Sequence, residues 1–390
     1  MSRARTLADL FNTDGNLNLS PVETINGNAP FGRKNLIING GMTVAQRATA
    51  TTTVSGAGVY DTIDRMKLWE STGGSMNSEQ STTAPAGFSK SLKLTVATAD
   101  TSLGSTEYAC FAQNIEAQDL QHLQYGTSSA KTITMSFYVR SNKTGTYCIT
   151  IDKIDSTTYH YVKEFTINSA DTWERKEITI APDSNIKASG GAIADDNGIG
   201  LRCFIGLAWG STYASATDDA WSSDTNDFAT SNQVNWMDST SNDFYFTGFQ
   251  VEVGELATEF EHRSFNEELY NCKRYFQKSF NYDTAPENGG GSGVSFNGGL
   301  LGYCGSNNSG TYSGFHRFDP EMRANPTVTT YGNSSGHWGR LSPTNTGTVS
   351  YSAGSGYISN TKASGINFGQ NAAGDTLLIG FGHITASAEL

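Results

Sequence analysis

In the segment 243–280 the sequence changes from the period of a strand to the period of a helix within one short junction. The strand-like alternation slips by one position at Thr247-Gly248, which is typical of a β-bulge. Ser264 and Glu267 have the spacing of a capping box, so a helix is predicted to begin there. One apolar face of that helix would be formed by Phe265, Leu269, Cys272 and Phe276. The change of period predicts a joint between two β modules.

Composition predicts the class of those modules. The 390 residues include 42 Gly and only 8 Pro, and 16% are charged, which suits short strands joined by polar turns. We therefore predict an all-β protein: a jelly-roll β-sandwich, then a short helix, then a small C-terminal β domain. The predicted domains are an anchoring segment at 1–34, the sandwich at 35–263, the connecting helix at 264–280 and the C-terminal domain at 281–390. The sandwich strands are predicted near 35–39, 66–70, 91–96, 107–113, 132–140, 146–152, 160–167, 174–180, 201–209 and 243–253.

The charge and the cysteines exclude several classes of protein. A net charge of −12 argues against nucleic acid as a partner, because binding phosphates requires clustered Lys and Arg. The five cysteines are widely spaced and show no metal-ligand pattern, so they are predicted to be buried and unpaired. No apolar run resembles a secretory signal or a membrane span, and no membrane insertion is expected.

The junction also carries a family resemblance. The strand pattern FxxxGxQxExG, at 244–254, and the helix pattern EELxxCxRYF, at 267–276, resemble the junction of bacteriophage tail-fibre-type proteins. The stretch 35–47 with 60–65 resembles the opening of the module before such a helix, and 322–328 resembles the opening of the module after it. Element order and length are also similar to carbohydrate-binding jelly rolls.

The resemblance implies a virion surface protein and leaves its ligand open. We predict a fibre or appendage that assembles in the host cytoplasm and attaches to a host-surface glycan. The predicted partners are two further copies of the chain, in a homotrimer, and other virion proteins, contacted through residues 1–34. Two alternatives stay open: a capsid decoration or head fibre protein with a mainly structural role, and a polysaccharide-cleaving tailspike. The helix is predicted to be the trimer neck, with its apolar face on the symmetry axis. Packing of that face on its own chain is the alternative.

Two aromatic regions are candidate sugar sites. The long polar stretch 210–242 carries Trp221, Trp236 and Asp238, and indole rings among carboxylates suit sugar rings and their hydroxyls. In the C-terminal domain the candidate ligand residues are Tyr312, His316 and Trp338. The alternative for both regions is that the aromatic side chains pack against the protein itself.

No motif for catalysis, a cofactor or a metal is found. The acidic loop lacks the register of a calcium-binding loop, so no metal and no cofactor are predicted. Two distant carboxylates could still cleave a glycoside, and the available ones are Glu107, Glu116, Asp152 and Glu177. A solvated surface explains each of them better, and the protein is predicted not to be an enzyme.

Overall fold

The computed structural model describes residues 33–54, 57–287, 300–305, 311–331, 337–343, 349–371 and 377–390. The segment 1–32 therefore lies outside the described residues, and with it nearly all of the predicted anchor. The described chain is built almost wholly from antiparallel strands, which confirms the predicted all-β class.

Two antiparallel sheets form the sandwich. The first has the strand order β1-β4-β5-β13-β7-β10 and the second has the order β12-β9-β8-β11-β6-β3-β2. The first sheet consists of β1 (Thr52–Val54), β4 (Ser75–Ser81), β5 (Ser91–Thr98), β7 (Ile133–Ser141), β10 (Glu174–Ile180) and β13 (Asp243–Val253). The second consists of β2 (Ala57–Val59), β3 (Lys67–Glu70), β6 (Tyr108–Glu116), β8 (Gly145–Lys153), β9 (Tyr159–Ile167), β11 (Ile199–Trp209) and β12 (Ala220–Ser222).

The core between the sheets follows from the alternation in the strands. In β7 every second residue points inward, and Ile133, Met135, Phe137 and Val139 are fully buried. The predicted bulge in β13 is present: the register with β7 shifts after Thr247, and Gly248 has φ 65°. Any Cβ at Gly248 would lie 2.8 Å from the ring of Phe88, so only glycine fits there.

Helical structure is short. The α-helices are α1 (Ser184–Lys187) and α2 (Phe265–Lys273), and 3₁₀ turns occur at Ala117–Leu123, Ser189–Gly191 and Trp236–Asp238. The hydroxyl of Ser264 accepts from the Glu267 amide at 3.3 Å, as the predicted cap requires. Within the described ranges no helix is both long enough and apolar enough to span a membrane.

The C-terminal domain contains a closed ring of six strands. Neighbouring strands pair in the order β21, β15, β16, β20, β19 and β18, and β18 pairs again with β21. A ring of this kind leaves none of its six strands as an open edge. The remaining strands, β14 and β17, pair with the second half of β21. The bounds are β14 (Phe276–Lys278), β15 (Leu300–Gly305), β16 (Thr311–Arg317), β17 (Thr327–Tyr331), β18 (His337–Pro343), β19 (Val349–Lys362), β20 (Gly365–Asn371) and β21 (Leu377–Ser387).

The C-terminal domain contacts the sandwich directly just after β21. The carboxylate of Glu389 pairs with both Arg65 and Arg47, and the contact to Arg47 is 2.9 Å. The Arg65 side chain is 1% exposed, and its guanidinium lies 3.4 Å from the centre of the Tyr275 ring. The sandwich and the C-terminal domain therefore touch each other beside Tyr275, two residues after the helix.

Two boundaries predicted from the sequence are wrong. The helix ends at Lys273 and not near residue 280, because Phe276–Lys278 pairs with β21 as a strand. The predicted strand at 35–39 is irregular, since Asn39 adopts φ 61° and its side chain bonds to Val44 and Asp64. This segment still follows β13, where the Leu36 amide donates to Val251 at 2.8 Å.

Candidate functional site

The long loop 210–242 is mainly a packing element. Trp236 is 0% exposed, and its indole N–H donates to the Asp243 carbonyl at 3.3 Å. A fully buried ring cannot receive a sugar, so the prediction is wrong for Trp236. Elsewhere in the loop Phe228 stacks on Trp209 of the second sheet, with ring centres 4.8 Å apart.

The side chains of the other two candidates in the loop, Trp221 and Asp238, also contact groups of their own chain. Trp221 is half-buried against the core, donates from its indole N–H to Ala181 at 2.9 Å and lies 5.4 Å from the Tyr161 ring. Asp238 forms an ion pair with Lys143 at 2.7 Å. The loop therefore does not bring Trp221, Trp236 and Asp238 together as an open binding surface.

The predicted C-terminal residues lie in the strand ring. Tyr312 is in β16 and Trp338 is in β18, and their side chains lie outside the described residues. His316, also in β16, is half-buried, and burial lowers the pKa of its imidazole. Its ring packs 5.5 Å from that of Phe318. Sugar binding by these three residues stays a prediction.

The four residues of the predicted apolar helix face are divided between the chain and solvent, and Phe276 lies in β14 instead of the helix. Cys272 is 1% exposed and Phe276 is 5% exposed, and the Arg47 guanidinium covers the Phe276 ring at 3.8 Å. These two residues are packed on their own chain, so the predicted trimer seam is wrong for them. Phe265 is 43% exposed and Leu269 is half-buried, and a contact between chains stays a prediction for this pair alone.

A groove lies at the junction of the sandwich and the helix. Its volume is about 400 Å³, within the range of small-molecule sites. Three segments line it: residues 41–43, residues 87–89 of the β4–β5 connection, and the linker from β13 to α2 with Glu268 of the helix. We call it the junction groove.

The linker is held in place by polar residues of β13. The carboxylate of Glu252, only 1% exposed, accepts from the Thr258 amide and hydroxyl, each at 2.8 Å. The side-chain oxygen of Gln250 accepts from the Glu261 amide at 2.8 Å. These bonds fold the linker back over the outer face of the first sheet. The linker residue Phe260 is thereby placed in the groove wall.

Three aromatic rings form the wall of the groove. The ring centres of Phe88, Phe260 and His262 are separated by 5.0, 5.2 and 4.9 Å, so each ring contacts the other two. Phe88 also packs on Tyr138 of β7 at 5.4 Å, which fixes the cluster to the sheet. Phe88 and Phe260 are half-buried and His262 is exposed, and part of the wall faces solvent.

The floor of the groove carries a buried ion pair. Arg263 and Glu268 have side chains 6% and 7% exposed, with 3.9 Å between Nη1 and Oε1. Arg263 also pairs with Glu261 at 3.3 Å and donates to the Asn35 carbonyl at 2.6 Å. Burial raises the pKa of Glu268, and this increase is partly offset by the hydrogen bond from the Asn39 amide and by the charge of Arg263. One carboxylate oxygen of Glu268 accepts from that amide at 2.7 Å, and the other lies toward the arginine.

The rim of the groove offers polar groups with free bonding capacity. Among the described residues, no hydrogen bond involves the side chains of Ser89 or His262, and the Thr43 hydroxyl has only a 3.4 Å contact to Asn39. A ligand here would meet apolar ring faces on one side and hydroxyl, imidazole and carboxylate groups on the other. This combination suits a molecule with both C–H faces and hydroxyls.

Sequence signals for this groove are weak. Phe260, His262 and Glu268 lie in the stretch predicted to be a joint between modules, and Phe88 lies in a loop without a motif. The residues come together only through long-range contacts such as that between Asn39 and Glu268, which are 229 positions apart. Gln250 and Glu252 of the strand motif indicate the site best, because both are buried and their side chains hold the linker in place.

The cysteine prediction is confirmed for four of the five cysteines. Cys110, Cys148, Cys203 and Cys272 are buried and unpaired, as predicted. The described residues contain no group of three or more Cys, His, Asp or Glu arranged to hold a metal ion.

No family model matches the sequence, and no curated protein matches it. Solved structures give distant likenesses. A family 11 carbohydrate-binding module from Clostridium thermocellum, in complex with a mixed-linked β-1,3-1,4 tetrasaccharide, is 13% identical, with a TM-score of 0.27; the match covers 55% of this chain and 99% of the module. A xylan-binding domain from Paenibacillus barcinonensis is 10% identical, with a TM-score of 0.25, over 55% of this chain and 99% of the domain.

A tailspike protein of bacteriophage CBA120 is 9% identical, with a TM-score of 0.26. That match covers 56% of this chain and 21% of the tailspike chain. At these identities and TM-scores the likenesses assign neither a ligand nor an activity to this protein.

Proposed function

We propose that the protein is a phage virion protein, a fibre or appendage, that attaches to a host-surface glycan and does not cleave it. The observation that carries the glycan part is the junction groove. Its aromatic wall offers ring faces to the C–H faces of a sugar, and its rim and floor offer bonding groups to the hydroxyls. The virion part rests on the sequence resemblance of the junction.

Binding without cleavage is supported by the state of the four carboxylates considered for catalysis. Glu116 is fully buried and accepts from Arg274 and from the Tyr275 hydroxyl. The others are bound to groups of their own chain: Glu107 to the Gly104 amide, Asp152 to Arg202 and His160, and Glu177 to Arg175. A glycosidase needs one carboxyl group free to donate a proton and another facing the sugar.

The anchor and the oligomer belong to the same proposal. Residues 1–34 would attach to another virion protein, and the homotrimer would use the exposed part of helix α2, where Phe265 and Leu269 lie. Arg33 forms an ion pair with Glu267 at 2.5 Å, so the described chain begins beside that helix. Immunogold labelling of phage particles tests the virion assignment, and sedimentation equilibrium of the purified protein tests the trimer.

The glycan proposal predicts the effect of Phe260→Ala. Loss of the stacking ring should weaken glycan binding by about tenfold or more, because an aromatic contact contributes about 1.5 kcal/mol beyond its buried area. Affinity is measured by calorimetry on the full chain with the best binder from a glycan array. The control is Tyr270→Ala, which removes a 52% exposed ring on helix α2 outside the groove and should leave the affinity unchanged.

Two results would contradict the proposal. Equal affinity of Phe260→Ala and wild type would exclude the groove and redirect attention to the ring strands that contain Tyr312 and Trp338. Release of new reducing ends from a bound polysaccharide would replace attachment with the tailspike alternative.

A further inference from the structure

The charges around the junction groove restrict the class of sugar it can bind. Among the described residues that line the groove, Arg263 is the only lysine or arginine. Its guanidinium lies within 4 Å of two carboxylates, 3.3 Å from Glu261 and 3.9 Å from Glu268. Lys34 does not line the groove, and its ammonium donates to the Glu259 carbonyl at 3.0 Å. Among the described residues that line the groove, an anionic sugar would find no cation without an acidic partner, and it would face Glu268.

A cationic sugar is disfavoured by the arrangement of the rings. Aromatic cages that recognise ammonium groups surround the cation with rings. Phe88, Phe260 and His262 instead pack on one another with centres about 5 Å apart, and they form one wall without a space among them. The carboxylate of Glu268 is held by the Asn39 amide and faces Arg263, so it is already compensated.

We propose that the junction groove binds an uncharged sugar residue, whose ring stacks on the aromatic wall and whose hydroxyl donates to the Glu268 carboxylate. This inference rests on the proposed glycan binding and narrows it to neutral sugars. A hydroxyl satisfies the remaining acceptor capacity of Glu268 without adding a charge to a buried site, which would be costly. The long-range field of a chain with net charge −12 acts in the same direction against acidic glycans.

The first test uses an array of bacterial surface oligosaccharides in three sets: neutral, uronate- or sialate-containing, and amino-sugar-containing. The full chain should bind members of the neutral set, and Phe260→Ala should lose that binding. Calorimetry with the best neutral oligosaccharide should show less than about a twofold change in affinity between about 0.05 and 0.5 M NaCl, because screening acts only on charged partners.

The second test is Glu268→Gln, with Glu267→Gln as the matched control. The first change removes the charge on the floor of the groove and should weaken neutral-sugar binding by about tenfold, as expected for a hydrogen bond to a charged acceptor. The control changes the adjacent residue, whose side chain is 33% exposed and pairs with Arg33 on the surface, and it should have no effect. For an anionic ligand Glu268→Gln would have the opposite sign and raise the affinity.

The outcomes separate the two proposals. Absence of binding to any glycan would overturn both. Three outcomes would overturn the neutral-sugar inference and leave glycan attachment standing, provided that binding depends on Phe260. They are binding to the acidic or amino-sugar set, binding that weakens strongly with salt, and binding that strengthens in Glu268→Gln. Neutral-sugar binding that is insensitive to Glu268→Gln would remove Glu268 from the contact and overturn the assigned hydrogen bond.

Discussion

The long loop 210–242 packs its aromatic and acidic side chains against the protein, whereas the junction between the sandwich and the C-terminal domain leaves similar side chains partly open to solvent. The loop has two tryptophans and several aspartates, yet Trp236 is 0% exposed and Asp238 is paired with Lys143. The junction has fewer conspicuous residues, yet it leaves Phe260 and His262 partly open beside the buried Glu268. Aromatic and acidic composition alone therefore does not identify a site. Exposed ring faces and free bonding capacity are the useful criteria.

The largest expected effect that tests this comparison is on the stability of the sandwich. Trp236→Ala should lower the free energy of unfolding by about 5 kcal/mol, near the upper end for a buried large ring, because it leaves a cavity in the main core and removes the hydrogen bond to Asp243. Urea denaturation measures the change. Trp221→Ala should lower the free energy of unfolding clearly less, because Trp221 is only half-buried. A stable Trp236→Ala protein that no longer binds glycan would mean that the loop is a site after all.

The next largest effect concerns the buried charges of the junction. Glu389→Ala leaves the Arg65 guanidinium without its acidic partner in a position 1% exposed, and this should cost about 3 kcal/mol. The expected readout is a lower urea midpoint together with protease cleavage between the modules. The exposed Glu255 serves as the control, since Glu255→Ala should have no measurable effect. If the two variants are equally stable, the contact between the modules is weaker than the structure indicates.

A smaller effect is expected from pH. Burial alone would raise the pKa of Glu116, but hydrogen bonds from Arg274 and Tyr275 outweigh it and hold the pKa below its usual value. A carboxyl group with a lowered pKa stabilises the fold above its unfolded pKa, about 4.3, and that stability is lost as pH falls through the folded value. The stability of Glu116→Gln should therefore depend less on acid pH than that of wild type. Parallel urea midpoints for both proteins down to about pH 3 would contradict this.

Much of the sandwich could be predicted because its central strands carry the alternation that burial on one face requires. β10 and β13 have the predicted bounds, and the bulge at Gly248 is visible as a slip of the pattern. β4, with the sequence SMNSEQS, was not predicted, since only Met76 gives it an apolar inward residue. A largely polar strand leaves no periodic signal.

The helix and the groove show the limit of local patterns. Phe265, Leu269 and Cys272 lie on α2 as predicted, whereas Phe276 lies in β14. The pattern of apolar residues does not show what packs against them, and Cys272 and Phe276 are covered by their own chain. The helix end was placed too late because pairing of Phe276–Lys278 with β21 depends on residues more than a hundred positions away. The groove could not be predicted for the same reason, since Thr43, Phe88 and Glu268 meet only after folding.

The two roles of strand β21 have a consequence for the order of folding. Its first half closes the strand ring and its second half pairs with β14 and β17, and Glu389 follows directly to cover Arg65. Arg65 and Glu389 are 324 positions apart, so a ribosome releases the sandwich strands long before the partner of Arg65 exists. We expect nascent chains to hold a folded sandwich with an open junction until β21 emerges, and then to close ring and junction in one late step. Proteolysis of chains stalled before and after Glu389 would show whether the two closures coincide.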